Sequence, residues 1–192
     1  MTARAARGRH LVLVGLPGAG KSVVGRRVAR LLHRRFLDLD QLIERDAGCT
    51  VAELFVRDGE PAFRARERAV TASLVDAPSS VVAPGGGWVL DPANPAALAP
   101  RSVIVWLRVS PALALARMGH GVARRPLLAG PDPLGALTAL AEARAPRYAA
   151  VADATFDTDD VPLAELARRL AALVEPPPID PAGDGTSRPP TR

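Results

Sequence analysis

Leu11-Val-Leu-Val-Gly15-Leu-Pro-Gly-Ala-Gly20-Lys21-Ser22 is the most informative stretch of the chain. Its first four residues form a short apolar run closed by a glycine, which reads as a strand buried on both faces. Gly15 to Ser22 then satisfies the pattern G-x-x-x-x-G-K-[ST] at every position. Val23, Val24, Val28, Leu31 and Leu32 follow at helical spacing, so a helix is expected from Lys21 to Leu32. The pattern therefore lies between a buried strand and a helix, the context it requires. There the glycines let backbone N–H groups turn inward around phosphate oxygens, and the helix N-terminus adds its positive dipole end. Lys21 is expected to reach the β- and γ-phosphates of a nucleotide, and the Ser22 hydroxyl to ligate Mg²⁺. The loop alone does not identify the acceptor of a phosphoryl group.

Composition sharpens the reading of Lys21. The chain has 25 Lys and Arg residues, and Lys21 is the one lysine among them. The odds of that coincidence arising by chance are about one in 25. A compact ammonium on a flexible stem enters a backbone cradle where a planar guanidinium fits badly. The net charge of +5 is dispersed and interleaved with acids, and aromatics are 4% of residues. Base-stacking platforms are thus poorly supplied, and no nucleic-acid partner is expected.

Cys49 is the only cysteine, so it forms no internal disulfide, and with scattered histidines it makes no metal-ligand spacing. It is expected to be a semi-buried apolar residue. Leu11 to Val14 is too short for a signal-peptide core, and no stretch is long enough to span a bilayer. A cytoplasmic protein with no membrane partner is expected. The 192 residues suit one domain over 1–175, followed by a disordered tail at 176–192 that carries six prolines.

Further along, Phe36-Leu-Asp38 reads as a second strand, with Asp40 as N-cap of the helical stretch after it. Thr50 and Glu53 form a capping box for a helix to about Arg57, and a longer helix follows from Glu60 to Val75. Strands are expected at Ser80–Ala83, Ser102–Leu107 and Ala154–Asp157. Helices are expected from Pro111, from Leu134 to Tyr148 with an interruption near Pro146, and from Leu163 to Val174. Gly119 to Gly130 reads as an exposed loop. Strands alternating with helices point to a parallel sheet covered on both faces.

Several further residues suit chemistry. Asp38 and Asp40 stand at the end of the second strand, where ligands of open parallel sheets gather. Two carboxylates at i and i+2 either divide labour, one holding metal through water and one accepting a hydroxyl proton, or merely cap a helix. Gly85-Gly-Gly87 after the third strand implies close backbone approach, or a tight turn. Arg124-Arg125-Pro-Leu-Leu128, flanked by glycines, has the form of a lid carrying a mobile cation or of a plain basic loop. Arg64 and Arg144, each on a helix, are either ligands or solvated charges.

In this order and spacing the pieces resemble the shikimate kinases. The elements are Gly15–Ser22, Asp38/Asp40, Gly59-Glu-Pro-Ala-Phe63-Arg64, Gly85–Gly87, Arg125-Pro-Leu-Leu128 and Arg144–Tyr148, over about Leu11 to Leu173. The resemblance implies a three-layer α/β P-loop kinase fold. Its five-stranded parallel sheet would be ordered 2-3-1-4-5, flanked by helices and covered by a mobile lid. It implies a monomer that transfers the γ-phosphoryl of ATP to the 3-hydroxyl of shikimate with Mg²⁺, in aromatic amino acid biosynthesis.

By the same resemblance Lys21, Asp40 and Arg125 would be catalytic, with Asp40 the proton acceptor. Gly18, Ala19, Gly20, Lys21, Ser22, Val23, Arg117 and Arg125 would bind ATP, Arg117 stacking on adenine. Ser22 and Asp38 would support the metal. Asp40, Arg64, Gly85, Gly86, Gly87 and Arg144 would bind shikimate, the two guanidinium groups pairing with its carboxylate. Trp88, after the triple glycine, departs from the small residue usual there, and either packs inward or reshapes the pocket. Pro84 is also unusual. The lid is about one residue longer than the pattern, so Arg124 competes with Arg125 for the catalytic role. Asp159-Asp160 replaces an arginine often offered to adenine. A gluconate kinase would share the loop and fold without requiring Arg64, Arg144 and the triple glycine together.

Overall fold

The computed structural model of the protein describes residues 8–124, 128 and 130–174. Arg125 and the tail at 176–192 lie outside the described residues, and so does the side chain of Arg124. Five strands form one sheet: β1 (His10–Val14), β2 (Phe36–Asp38), β3 (Val81–Ala83), β4 (Ser102–Arg108) and β5 (Ala154–Asp157). Their order is β2-β3-β1-β4-β5 and every pairing is parallel, as expected. Every residue of β1 and β3 is buried, the signature of strands covered on both faces.

Register aligns the strand ends that carry chemistry. Val14 pairs with Trp106 and Asp38 with Ala83, so β1, β2 and β3 release their following loops at one edge. The chain leaves β1 toward β2 on one side and returns past it to β4 on the other, opening a crevice beyond the end of β1.

The helices are α1 (Lys21–Leu31), α2 (Leu39–Ala47), α3 (Val51–Ser73), α4 (Ala93–Leu98), α5 (Pro111–Met118), α6 (Pro133–Val151) and α7 (Leu163–Ala172). Apart from the short α4, each was expected. α3 contains the two helices read from the sequence: the Thr50–Glu53 capping box opens it, and Gly59 breaks its dihedrals at φ 78°, ψ 169°. A separate small core of Ile43, Leu54 and Phe63 holds α2 to α3 beside the main core. Cys49 is partly buried, as expected, and packs against this small core.

Three local expectations are corrected. The N-cap of α2 is Asp38 rather than Asp40; its extended backbone starts the helix at Leu39, and its Oδ1 accepts from Gln41 N at 3.4 Å. Asp40 therefore projects from the first turn of the helix. α6 runs through Pro146 to Val151 without interruption. Pro146 and Glu142, whose carbonyl loses a donor, lie on the exposed side, while buried Arg144 and Tyr148 hold the opposite side. Finally, Gly119–Arg124 winds into a 3₁₀ helix where a loop was expected.

Candidate active site

The turn from β1 into α1 builds a cradle. Gly18 and Gly20 have φ of 82° and 87°, which side chains rarely adopt, and a Cβ on Gly18 would stand 2.3 Å from the Ala114 carbonyl oxygen. Gly20 is the N-cap of α1, and no acidic residue occupies its first turn, so the dipole's positive end stays open to an anion. Lys21 Nζ arches over the loop and donates to the carbonyls of Gly15 at 2.8 Å and Leu16 at 3.0 Å.

The Ser22 hydroxyl donates to Asp38 Oδ2 at 2.9 Å, joining α1 to the end of β2. Among the described residues no three His, Cys, Asp or Glu side chains gather as a metal cage. An oxygen pair of one hydroxyl and one carboxylate beside a phosphate cradle fits Mg²⁺, which keeps its waters and takes few protein ligands. The cradle opens into a cleft of about 590 Å³ lined by Gly18 to Val23, Asp38, Asp40, Gly85, Gly86 and Arg117.

The other wall is the turn after β3. Each of its three glycines lies beneath one charged side chain. A Cβ on Gly85 would stand 2.7 Å from Asp40 Oδ1; on Gly86, 3.2 Å from Arg144 Nη1; on Gly87, 2.7 Å from Arg64 Nη2. Residues from α2, α3 and α6 thus converge on one strip of bare backbone. Arg64 donates from Nη1 to Glu67 Oε2 at 2.9 Å and from Nε and Nη2 to Glu60 Oε1 at 3.1 and 2.9 Å. Among the described residues those bonds use three of its five N–H groups, leaving one on each Nη toward Gly87. Arg144 is buried, and the Tyr148 hydroxyl donates to Gly86 O at 2.6 Å. Burial raises the pKa of that phenol, which keeps it a donor.

The chain has known relatives. The family model for shikimate kinase matches residues 17–175. A shikimate kinase of Symbiobacterium thermophilum is 48% identical over 151 residues, 78% of this chain and 87% of its own. One from Caulobacter vibrioides is 46% identical over 156 residues, 81% of this chain and 77% of its own. The chain belongs to the shikimate kinase family. Among solved structures, that of the Acinetobacter baumannii shikimate kinase in complex with shikimate superposes with a TM-score of 0.82. It is 36% identical and covers 90% of this chain and 96% of its own.

Against the family pattern, the departures become explicable. Trp88 is fully buried, and its Nε1 donates to Thr71 Oγ1 at 2.9 Å, so the ring packs inward and leaves the pocket open. Pro84 lines the cleft ahead of the glycines. Asp159 accepts from Ser110 N at 3.1 Å, holding the start of α5. α5 in turn carries Arg117, whose guanidinium donates to Thr158 Oγ1 at 2.9 Å and Thr158 O at 2.6 Å on the cleft wall.

Glu67 escaped the sequence reading. It is 1% exposed, and its Oε1 has no hydrogen-bond partner among the described residues. Burial is the main cause that raises its pKa; Arg64 pulls against the rise and the Asp40 charge adds to it. The available signal was its place one turn beyond Arg64. Thr158, Met118 and Val161, also on the cleft wall, carried no sequence signal.

Proposed function

We propose that this shikimate kinase family member transfers the γ-phosphoryl of ATP to the 3-hydroxyl of shikimate, a step of chorismate and aromatic amino acid biosynthesis. The observation that carries the reading is the glycine strip, which gathers Asp40, Arg144 and Arg64 beside the phosphate cradle. A relative that covers nearly all of its own length here binds shikimate.

The chemistry follows from the placement. Gly18 to Val23 receive the ATP phosphates, and Lys21 moves from the loop carbonyls to the β- and γ-oxygens. Ser22, and Asp38 through water, would hold Mg²⁺, which when bound would supply positive charge against the phosphates. Arg64 and Arg144 grip the shikimate carboxylate with forked donors, and Gly85 to Gly87 offer backbone groups to its hydroxyls. That grip sets the 3-hydroxyl against Asp40, which accepts its proton as the oxygen bonds to phosphorus and ADP departs. Arg125 would enter with the lid to stabilise the transferring phosphoryl, and lid closure would exclude water. Arg117 presents a plane for the adenine. We place the protein in the cytoplasm as a monomer.

The test is ADP release from ATP and Mg²⁺ with shikimate, gluconate or a nucleoside monophosphate offered in turn. Turnover is expected with shikimate alone. Release no faster than the no-acceptor control with shikimate present would overturn the assignment.

A further inference from the structure

Trp88 has a role beyond filling space, argued from the shikimate reading above. It follows the glycine strip directly, and its bonds run in three directions. Its backbone N–H donates to Gly85 O at 3.1 Å, closing the turn, and its carbonyl accepts from Asn94 Nδ2 at 3.2 Å. Its indole Nε1 donates to Thr71 Oγ1 at 2.9 Å, and ring and hydroxyl are both buried.

Thr71 lies on α3, seven residues or about two turns beyond Arg64, with Glu67 between them; the three share one face of the helix. One bond therefore ties the glycine strip to the helix that delivers Arg64. On the other side the Tyr148 hydroxyl, donating to Gly86 O, ties the strip to α6, which delivers Arg144. The strip is fastened at both edges to the two helices whose guanidinium groups lie on it.

We propose that the Trp88–Thr71 bond is a positioning element of the acceptor site. It sets the distance between Arg64 and the glycine strip, and hence the fit to the acceptor's carboxylate. An indole is long enough to reach across to α3 with a donor at its far end, which a small side chain cannot do. An α3 free to drift would leave Arg64 satisfied by Glu60 and Glu67 and poorly placed for the acceptor.

The test uses Trp88→Phe, which keeps an aromatic body and loses the donor, and Thr71→Val, which keeps shape and loses the acceptor. Both changes remove the same bond. Each should raise the KM for shikimate about five- to tenfold. The KM for ATP should stay near that of the unmodified enzyme, and the double variant should be no worse than the single ones. Thr71→Ser, which restores the hydroxyl, should recover the KM. Should Trp88→Phe fail to fold, Thr71→Val and Thr71→Ser decide the matter between them. An unchanged shikimate KM in Thr71→Val, an equal rise in the ATP KM, or additive effects in the double variant would each overturn the proposal. A wrong acceptor would show differently, as an unmodified enzyme that does not turn over shikimate at all.

Discussion

At the scale of single residues, the proposed acceptor site is defined by side chains that are absent. Gly85 and Gly87 have no Cβ, and Asp40 and Arg64 occupy the space one would fill. In Gly85→Ala the new methyl would meet Asp40 Oδ1 at 2.7 Å, and in Gly87→Ala it would meet Arg64 Nη2 at 2.7 Å. Both obstacles are ends of flexible side chains, so the fold should survive while the displaced group differs. Gly85→Ala should lower kcat, because it would move Asp40, the proposed proton acceptor. Gly87→Ala should raise the KM for shikimate on the order of tenfold, because it would move Arg64, a proposed ligand of the carboxylate. Steady-state kinetics with each substrate varied separates the two outcomes; the same effect from both would refute the division of labour. Asp40→Asn isolates the proton transfer, since the amide keeps the size and loses the basicity. Its kcat should fall by roughly 10²- to 10⁴-fold, while nucleotide affinity measured by calorimetry stays put. A parallel loss of ATP binding would reassign Asp40 to the metal.

At the scale of elements, the kink in α3 matters most, because it aims the segment that carries Arg64, Glu67 and Thr71. Gly59 sits at φ 78°, ψ 169°, a region open essentially to glycine alone. Its Cβ position is sterically free, the nearest atom being Pro61 Cδ at 3.6 Å, so any penalty in Gly59→Ala is backbone strain. That variant should lose about 1–3 kcal/mol in urea denaturation; a loss below the error of the method would show that the kink relaxes freely. The same helix shows what the sequence could and could not reveal. The Thr50–Glu53 box and Gly59 are local signals, read from side chains within a few residues of where they act. The direction of the Trp88 ring depends on a hydroxyl seventeen residues earlier in the chain, and the burial of Glu67 depends on what covers α3. Neither has a local signature. Pro146 misled for the same reason: a local rule for ending helices was overridden by the packing of Arg144 and Tyr148 on the far side of α6. The cradle and the residues that converge on the glycine strip were legible because the proposed chemistry demands particular types at particular spacings. The two-residue shift of the α2 cap from Asp40 to Asp38 depended on dihedrals that the letters do not carry.

At the scale of the whole molecule, the sheet separates a chemical end from a structural one, and His10 occupies the latter. It opens β1 at the end remote from the phosphate loop and is fully buried. The Ser80 backbone N–H can only donate, so Nδ1 accepts at 3.1 Å and the proton sits on Nε2, which donates to Leu74 O at 3.1 Å. The neutral ring is thus fully satisfied, and a second proton would cost the bond to Ser80. Burial is the main cause that holds its pKa below the ordinary value of 6.5, with the charges of Arg101 and Arg34 adding to it. A depressed folded pKa means that below about 6.5 the unfolded chain takes up a proton that the folded chain refuses. Stability is therefore fully present above that pH and is lost as the pH falls toward the folded value, by up to about 1.4 kcal/mol per unit. Glu67, with its raised pKa, contributes with the opposite sign as the pH rises above its ordinary value of 4.5, so a single curve would mix the two. Comparing the unmodified protein with His10→Gln removes the mixture. Urea midpoints of the unmodified protein should fall more steeply from pH 7.5 to 5.5 than those of the variant, whatever the variant's absolute stability. At neutral pH the KM for ATP should be the same in both, because the ring lies at the far end of β1 from the cleft. Parallel pH profiles would mean that the ring is charged in the fold, or reached by water, and the neutral tautomer assigned from Ser80 would be wrong.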